Sequence, residues 1–293
     1  MTFVISEIAK DYEQRFTRAG ILKPQQEVYY ILKKILGDKT EIDRECRDAL
    51  ERALNLREQR MPIERIFGVT DFCGLSLHTA EDVYKPYPET EDLVHYALST
   101  LGDERKNIRI LDLGTGTGCI LLSLLKALPE SSGVGIDLNE KALDVARENA
   151  RENQLFDRAE FKIGNWSEDL TEKFDLVISN PPRAPTEFIP NLLPEMRNYD
   201  PPISLDGGAD GLDFIRKVAA DFDRLSQSKA LCLCQLGAIY ASEVVQIFEK
   251  AGFSDVRVMG NYAGEPCCLV VKKGFSVSPF QWVNDHIWKR FFG

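Results

Sequence analysis

From about residue 92 onward, short apolar runs alternate with stretches of helical periodicity, and this alternation limits the fold more than any other feature. Strands are expected at 108–113, 133–137, 159–163, 174–179, 230–235 and 267–272, with helices through 93–101 and 119–128. Strands and helices in alternation imply a mostly parallel sheet covered by helices on both faces. An open sheet of that kind binds its ligands at the carboxyl ends of its strands.

The first 60 or so residues read differently. Val4, Ile8, Tyr12 and Phe16, then Val28, Ile31, Leu32 and Ile35, then Ala49, Leu50 and Leu54 recur at helical spacing. Gly20 ends the first helix, Pro24 suits the first turn of the second, and Gly37 closes it before a third helix expected from near Thr40. Residues 66–78 alternate apolar and polar around Gly68 and Gly74, the pattern of a β-hairpin. The expected organisation is therefore a helical recognition domain over 1–62, a hairpin linker over 63–84 and an α/β domain over 85–293. A chain of 293 residues can bury a separate core in each of two domains.

The net charge of -10 gives no general attraction for a phosphate backbone. No apolar run approaches membrane-spanning length, and the N-terminus lacks the basic start and apolar core of an export signal. A cytoplasmic protein is expected. Seven cysteines without C-x-x-C spacing fit a reduced thiol set, and the three scattered histidines suggest no metal centre.

Residues 112–118 (DLGTGTG) lie between an expected strand and helix, where small residues let the backbone approach a ligand and leave helix N-terminal N–H groups free. Gly114, Gly116 and Gly118 give G-x-G-x-G, whereas the dinucleotide fingerprint needs a glycine where Cys119 stands. Asp137 ends the next strand, where an acid can accept hydrogen bonds from both hydroxyls of a ribose, or can cap the following helix. This stretch resembles the class I S-adenosylmethionine (SAM)-dependent methyltransferases. The resemblance implies a Rossmann-like domain and SAM as cofactor, bound by Asp112, Gly114, Thr115, Gly116, Gly118 and Asn180, with Gly114 and Gly116 along its methionine portion, Asp137 on the ribose, and Asn165 and Trp166 near adenine. Trp166 could equally fill the core.

A second constellation follows the apolar run 174–179: Asn180, Pro181, Pro182 and Arg183. Two consecutive prolines stiffen the loop and, lacking N–H groups, leave carbonyls as acceptors. The Asn180 side-chain oxygen and the Pro181 carbonyl can each take one N–H of an amide or amine and turn its lone pair towards a methyl donor. The motif resembles the (Asn/Asp)-Pro-Pro-(Tyr/Phe) signature of amino methyltransferases.

Three further segments narrow the resemblance. Residues 60–68 (RMPIERIFG), 86–91 (PYPETE) and 205–212 (LDGGADGL) look like successive landmarks of the release-factor glutamine methyltransferases, the HemK or PrmC family. Membership implies a helical domain that grips a peptide-chain release factor, and methylation of the N5 nitrogen of the glutamine in its Gly-Gly-Gln loop. It also implies that Asn180 and Pro181 hold the amide, with Pro182, Arg183, Tyr87 and Glu89 against the substrate. The family usually has Tyr at Arg183 and Arg at Tyr87, an exchange that moves a cation beside the reacting nitrogen. Glu187 or Glu195 could neutralise that cation, or Arg183 could bind a substrate carboxylate. Asn165 and Gln235 are milder departures. Two alternatives therefore stand beside the release factor: a small amino-acid-like acceptor held by Arg183, and a binding module without catalysis. DNA is not expected, because Glu187, Glu195, Asp200, Asp206 and Asp210 outnumber Arg183 and Arg197 in the segment after the proline loop. The aromatic C-terminal tail from Pro279 suits packing over the sheet or a partner contact.

Overall fold

A computed structural model describes residues 2–37, 43–102 and 107–274, and the aromatic tail lies outside them, as does Thr40. The chain divides into two compact units, 1–69 with 192–200, and 70–191 with 201–293.

The first unit is built on α1 (Thr2–Arg18), α2 (Pro24–Leu36), α3 (Arg44–Glu58) and the short α4 (Ile63–Phe67). Pro24 opens α2, where a missing N–H costs nothing, and the Asp43 carboxylate caps α3 by accepting the Cys46 N–H at 2.7 Å. Phe16, Val28, Ile31, Leu50 and Leu54 fill the core between the helices, and Ile66 and Phe67 pack against it. Their packing carries the unit on to Val69. Residues 192–200, including α8 (Pro194–Arg197), return to this unit and are held there by charge. Glu195 accepts from Arg57 Nη2 at 2.9 Å and Arg60 Nε at 2.6 Å, while Arg65 Nη2 donates to Asp200 at 2.9 Å. Burial pushes the Glu195 carboxyl up, but the hydrogen bonds from Arg60 and Arg57 outweigh it and hold it below the ordinary range. Glu195 is thus committed to Arg57 and Arg60, which corrects its expected part in neutralising Arg183.

The second unit opens with a hairpin, β1 (Val69–Phe72) and β2 (Leu75–His78), whose Phe72, Leu75 and Leu77 join the main core. The hairpin is therefore part of this unit's packing, although Val69 itself is counted with the helices. Next come α5 (Glu91–Leu101), β3 (Arg109–Leu113), α6 (Cys119–Ala127), β4 (Ser132–Asp137), α7 (Glu140–Glu152), β5 (Ala159–Ile163) and β6 (Phe174–Ser179). After the excursion to the first unit come α9 (Asp213–Leu225), β7 (Ser226–Gln235), α10 (Ala241–Lys250), β8 (Asp255–Gly260) and β9 (Pro266–Lys273).

Among the described residues, seven strands form one sheet in the order β5-β4-β3-β6-β7-β9-β8. The first five are parallel, and β9 and β8 extend the sheet antiparallel. Side chains alternate between its faces. Ile110, Leu176, Ile178, Leu231 and Leu233 pack with α5, α6, α7 and the hairpin, whereas Leu111, Leu113, Val177 and Cys232 pack with α9 and α10. The chain runs outward from β3 to β5 on one side and from β6 to β7 on the other, so strand order reverses between β3 and β6. A crevice opens where loops diverge at such a reversal.

Candidate active site

The geometry of the crevice follows from strand register. Leu113 pairs with both Ile136 and Ser179, and the Ser179 hydroxyl donates to the Leu113 carbonyl at 2.7 Å. The residues that follow Leu113 and Ser179, Gly114 and Asn180, therefore leave the sheet side by side. Both line one cavity, together with Thr115, Gly116, Asp137, Trp166 and Pro182 among the sequence-derived candidates.

The glycine turn is tied down first. The N–H groups of Gly114 and Thr115 both donate to the Ile136 carbonyl at 2.9 Å. Gly114 and Gly116 hold positive φ, and an added Cβ would make only ordinary contact, with the Trp166 ring at 3.8 Å and the Tyr84 carbonyl oxygen at 3.9 Å. Gly118 differs. A Cβ there would meet Ala146 and Leu122 at 3.2 Å, so its smallness serves the packing of α6 against α7 rather than the cavity wall.

Asp137 lies between the turn and α7. One carboxylate oxygen accepts the Gly116 N–H at 2.8 Å and the other accepts the Asn139 N–H at 2.9 Å. Burial raises its carboxyl, and the backbone N–H groups of Asn139, Gly116 and Leu138 oppose the rise. Each oxygen keeps lone-pair capacity, so the pair fits the two hydroxyls of a ribose. Asp112 is different again: it is wholly buried behind the turn and accepts from Thr115 Oγ1 at 2.8 Å. Burial drives its carboxyl up to about 7.

Trp166 is placed both against the core and at the cavity wall. Its ring lies 4.4 Å from that of Phe214 and packs on the α9 side of the core, and it also lines the cavity. Asn165 does not line that cavity, and its amide donates to Glu168.

In the proline loop, Asn180 is fixed from two sides. Its Nδ2 donates to Thr90 Oγ1 at 3.2 Å, and its Oδ1 accepts from Arg183 Nη1 at 2.7 Å. Arg183 is half-buried and turned back onto its own loop. The cation over the Tyr87 ring is Lys85, with Nζ 3.6 Å from the centroid. Pro181, Arg183, Tyr87 and Glu89 lie outside the cavity lining, and Glu89 is exposed. Glu187 is exposed as well. Glu91 accepts the Cys73 N–H at 2.8 Å and so serves the hairpin.

The segment 205–212 supports the proline loop from behind. Ala184 donates to the Leu205 carbonyl at 3.0 Å, Gly207 to the Ala184 carbonyl at 2.8 Å, and Thr186 to the Gly208 carbonyl at 3.0 Å. An added Cβ on Gly207 would stand 2.8 Å from Arg183 Cα, and one on Gly211 would stand 2.5 Å from the Arg183 carbonyl oxygen. The glycines let two backbones touch.

Sequence reasoning missed Thr90, Lys85, Ser204 and Phe214, all of which line the cavity. Thr90 was within reach, since it stands inside 86–91, a segment that carries the family resemblance. Ser204 and Phe214 carry no local signal.

Comparison with known proteins bears on the family and the fold. A family model described as a methyltransferase domain matches residues 104–252. A release factor glutamine methyltransferase of Rhodospirillum rubrum is 37% identical over 268 residues, covering 88% of this chain and 82% of the relative. One of Caulobacter vibrioides is 35% identical, covering 88% and 93%. Among solved structures, a methyltransferase from Pyrococcus furiosus superposes with a TM-score of 0.54 at 17% identity, over 69% of this chain and 90% of that one, a likeness of fold.

Proposed function

Because the chain belongs to the release factor glutamine methyltransferase family, we propose that its acceptor is the side-chain amide of a glutamine in a peptide-chain release factor, held at Asn180 and Pro181. It is a SAM-dependent N-methyltransferase with an α/β, Rossmann-like catalytic fold. Gly114, Thr115 and Gly116 would hold the methionine portion of SAM, Asp137 the ribose and Trp166 the adenine face. When bound, SAM supplies a methyl group made electrophilic by its sulfonium.

The observation that carries the reading is the fixed Asn180 amide at the mouth of β6, beside the glycine turn. Thr90 and Arg183 together set which end of that amide is oxygen and which is nitrogen. The oxygen has a second lone pair for a substrate N–H. The Pro181 carbonyl takes the other, so the glutamine nitrogen is held with its lone pair directed at the methyl. SAM held at that turn would supply its methyl to this electron pair and leave as the thioether, and the nitrogen would release a proton. No side-chain base is required before attack, so the acceleration comes from positioning. Arg183 steadies the acceptor oxygen in this scheme.

Asn180→Ala is the test. Loss of a positioned hydrogen-bonding group costs about 10²–10³ in kcat, and a fall of that order is expected in a variant that melts like the wild type. Undiminished transfer would remove the proline-loop mechanism.

A further inference from the structure

Asn139 lines the cavity two residues after Asp137, and the reaction scheme gives it no part. Its backbone N–H donates to the Asp137 carboxylate at 2.9 Å. Its side-chain oxygen caps α7 by accepting the Lys141 N–H at 3.1 Å, the common role of an asparagine at a helix start. The amide nitrogen makes a bond that capping does not require. It donates to the Asp82 carbonyl at 2.6 Å, 57 residues earlier in the chain.

Asp82 belongs to a strap, residues 79–87, that runs between two fixed points. Before it, His78 is held by the buried Asn149 of α7, which accepts the His78 N–H at 2.6 Å and donates to its carbonyl at 3.2 Å. After it, Thr90 accepts from Asn180 at 3.2 Å. Between these points Tyr84, Lys85 and Pro86 line the cavity, and a Cβ on Gly116 would lie 3.9 Å from the Tyr84 carbonyl oxygen. The strap therefore runs along the turn assigned to the methionine portion of the cofactor. Asp82 has a φ of +63°, a left-handed conformation that a residue other than glycine keeps where its surroundings hold it. Asn139 holds its carbonyl, and Lys141 Nζ holds its carboxylate at 2.7 Å. Both bonds are exposed, and exposed polar contacts are weak enough to open and re-form. One asparagine thus joins the strap to the carboxylate assigned to the ribose.

We infer that Asn139 is a positioning residue for the cofactor: its amide nitrogen holds the strap closed along the methionine portion, while its backbone N–H orients Asp137 for the ribose. A ligand that needs the strap in place binds in proportion to the fraction of molecules in which it is so placed. The inference rests on SAM being the cofactor with its ribose at Asp137, and is independent of the acceptor.

The test is Asn139→Ser, measured by titration calorimetry on the full chain with SAM and with adenosine, which has the ribose but no methionine portion. Serine caps a helix about as well as asparagine and keeps the backbone N–H, but its side chain is too short to reach Asp82. The hydrogen bond removed is worth roughly two- to tenfold in affinity. SAM should weaken by that factor, with adenosine binding as it binds the wild type. Unchanged SAM affinity would overturn the inference, and so would an equal weakening of the two ligands, which would place the effect at the ribose or the α7 cap. Asp137→Ala tests the premise separately: if it binds both ligands as the wild type does, the ribose is held elsewhere and the inference falls with its premise. Hydrogen exchange of the wild type gives a second reading should the serine variant not fold. Amides of 79–87 should exchange more slowly with SAM than with adenosine, and exchange that SAM does not slow would overturn the inference.

Discussion

Replacing Gly207 with alanine separates the support of the proline loop from the binding of cofactor. The position has no positive φ, so alanine meets no backbone strain there, and any effect is steric. The new Cβ would stand 2.8 Å from Arg183 Cα and from the Gly211 carbonyl oxygen, and 2.9 Å from Gly211 Cα. Carbon atoms in ordinary contact lie about 3.5–4.0 Å apart, so roughly an ångström must be found. All three obstructing atoms are backbone, and no side chain can swing aside. Overpacking of this kind costs about 1–3 kcal/mol, and each kcal/mol lowers the melting temperature by roughly 2–4 °C in a unit of this size. The backbone that yields is that of Arg183, three residues from Asn180 and bonded to it. A misplacement of about 1 Å in a positioning group costs on the order of 10²-fold in rate. The glycine turn and Asp137 are attached to β3 and β4, so SAM affinity should change little. The assay is kcat for methyl transfer beside calorimetric SAM binding on the same preparation. A variant with a lowered melting temperature but wild-type kcat would refute the claim that segment 205–212 positions the reaction loop.

Two other perturbations have signs fixed by the structure. Asp112 titrates near 7 when folded, against about 3.9 in an unfolded chain. The folded form therefore holds a proton that the unfolded form has released. This residue's contribution to stability is fully present below about pH 4 and is lost as pH rises through 7. Wild type should lose on the order of 2–3 kcal/mol relative to Asp112→Asn between pH 5 and pH 8 in urea titrations, and a difference that does not change with pH would contradict it. Glu195→Ala removes the carboxylate shared by the buried Arg57, which keeps Glu27, and the half-buried Arg60. A loss of about 1–3 kcal/mol is expected from removing hydrogen bonds to charged, partly buried groups, and a melting temperature within a degree of wild type would show that the cluster is not stabilising.

The parts of the fold that sequence reveals are those set by short-range periodicity. Largely apolar runs such as 108–113 and 174–179 contribute to both faces of the sheet, and their shortness between turn residues marks them as strands. Strand β8 gives no comparable signal, because it is half-exposed and its Val256 and Val258 alternate with Arg257 over too few residues to stand out. The glycine turn and proline loop are legible for a related reason: each chemistry needs particular residue types at fixed spacing within a few positions. Long-range pairings leave no such trace. Nothing local in Glu195 says that it will meet Arg57 and Arg60, more than 130 residues earlier. Nor does the exchange of residue types at 87 and 183 disclose that Arg183 turns to Asn180 while Lys85 covers Tyr87.

Transfer of labelled methyl from SAM to a purified release factor, with the product mapped by mass spectrometry, tests the central claim most directly. Label confined to the glutamine of the Gly-Gly-Gln loop, and absent from a Gly-Gly-Glu variant, is the predicted result. Firm SAM binding with no transfer to that glutamine would contradict the assignment of acceptor.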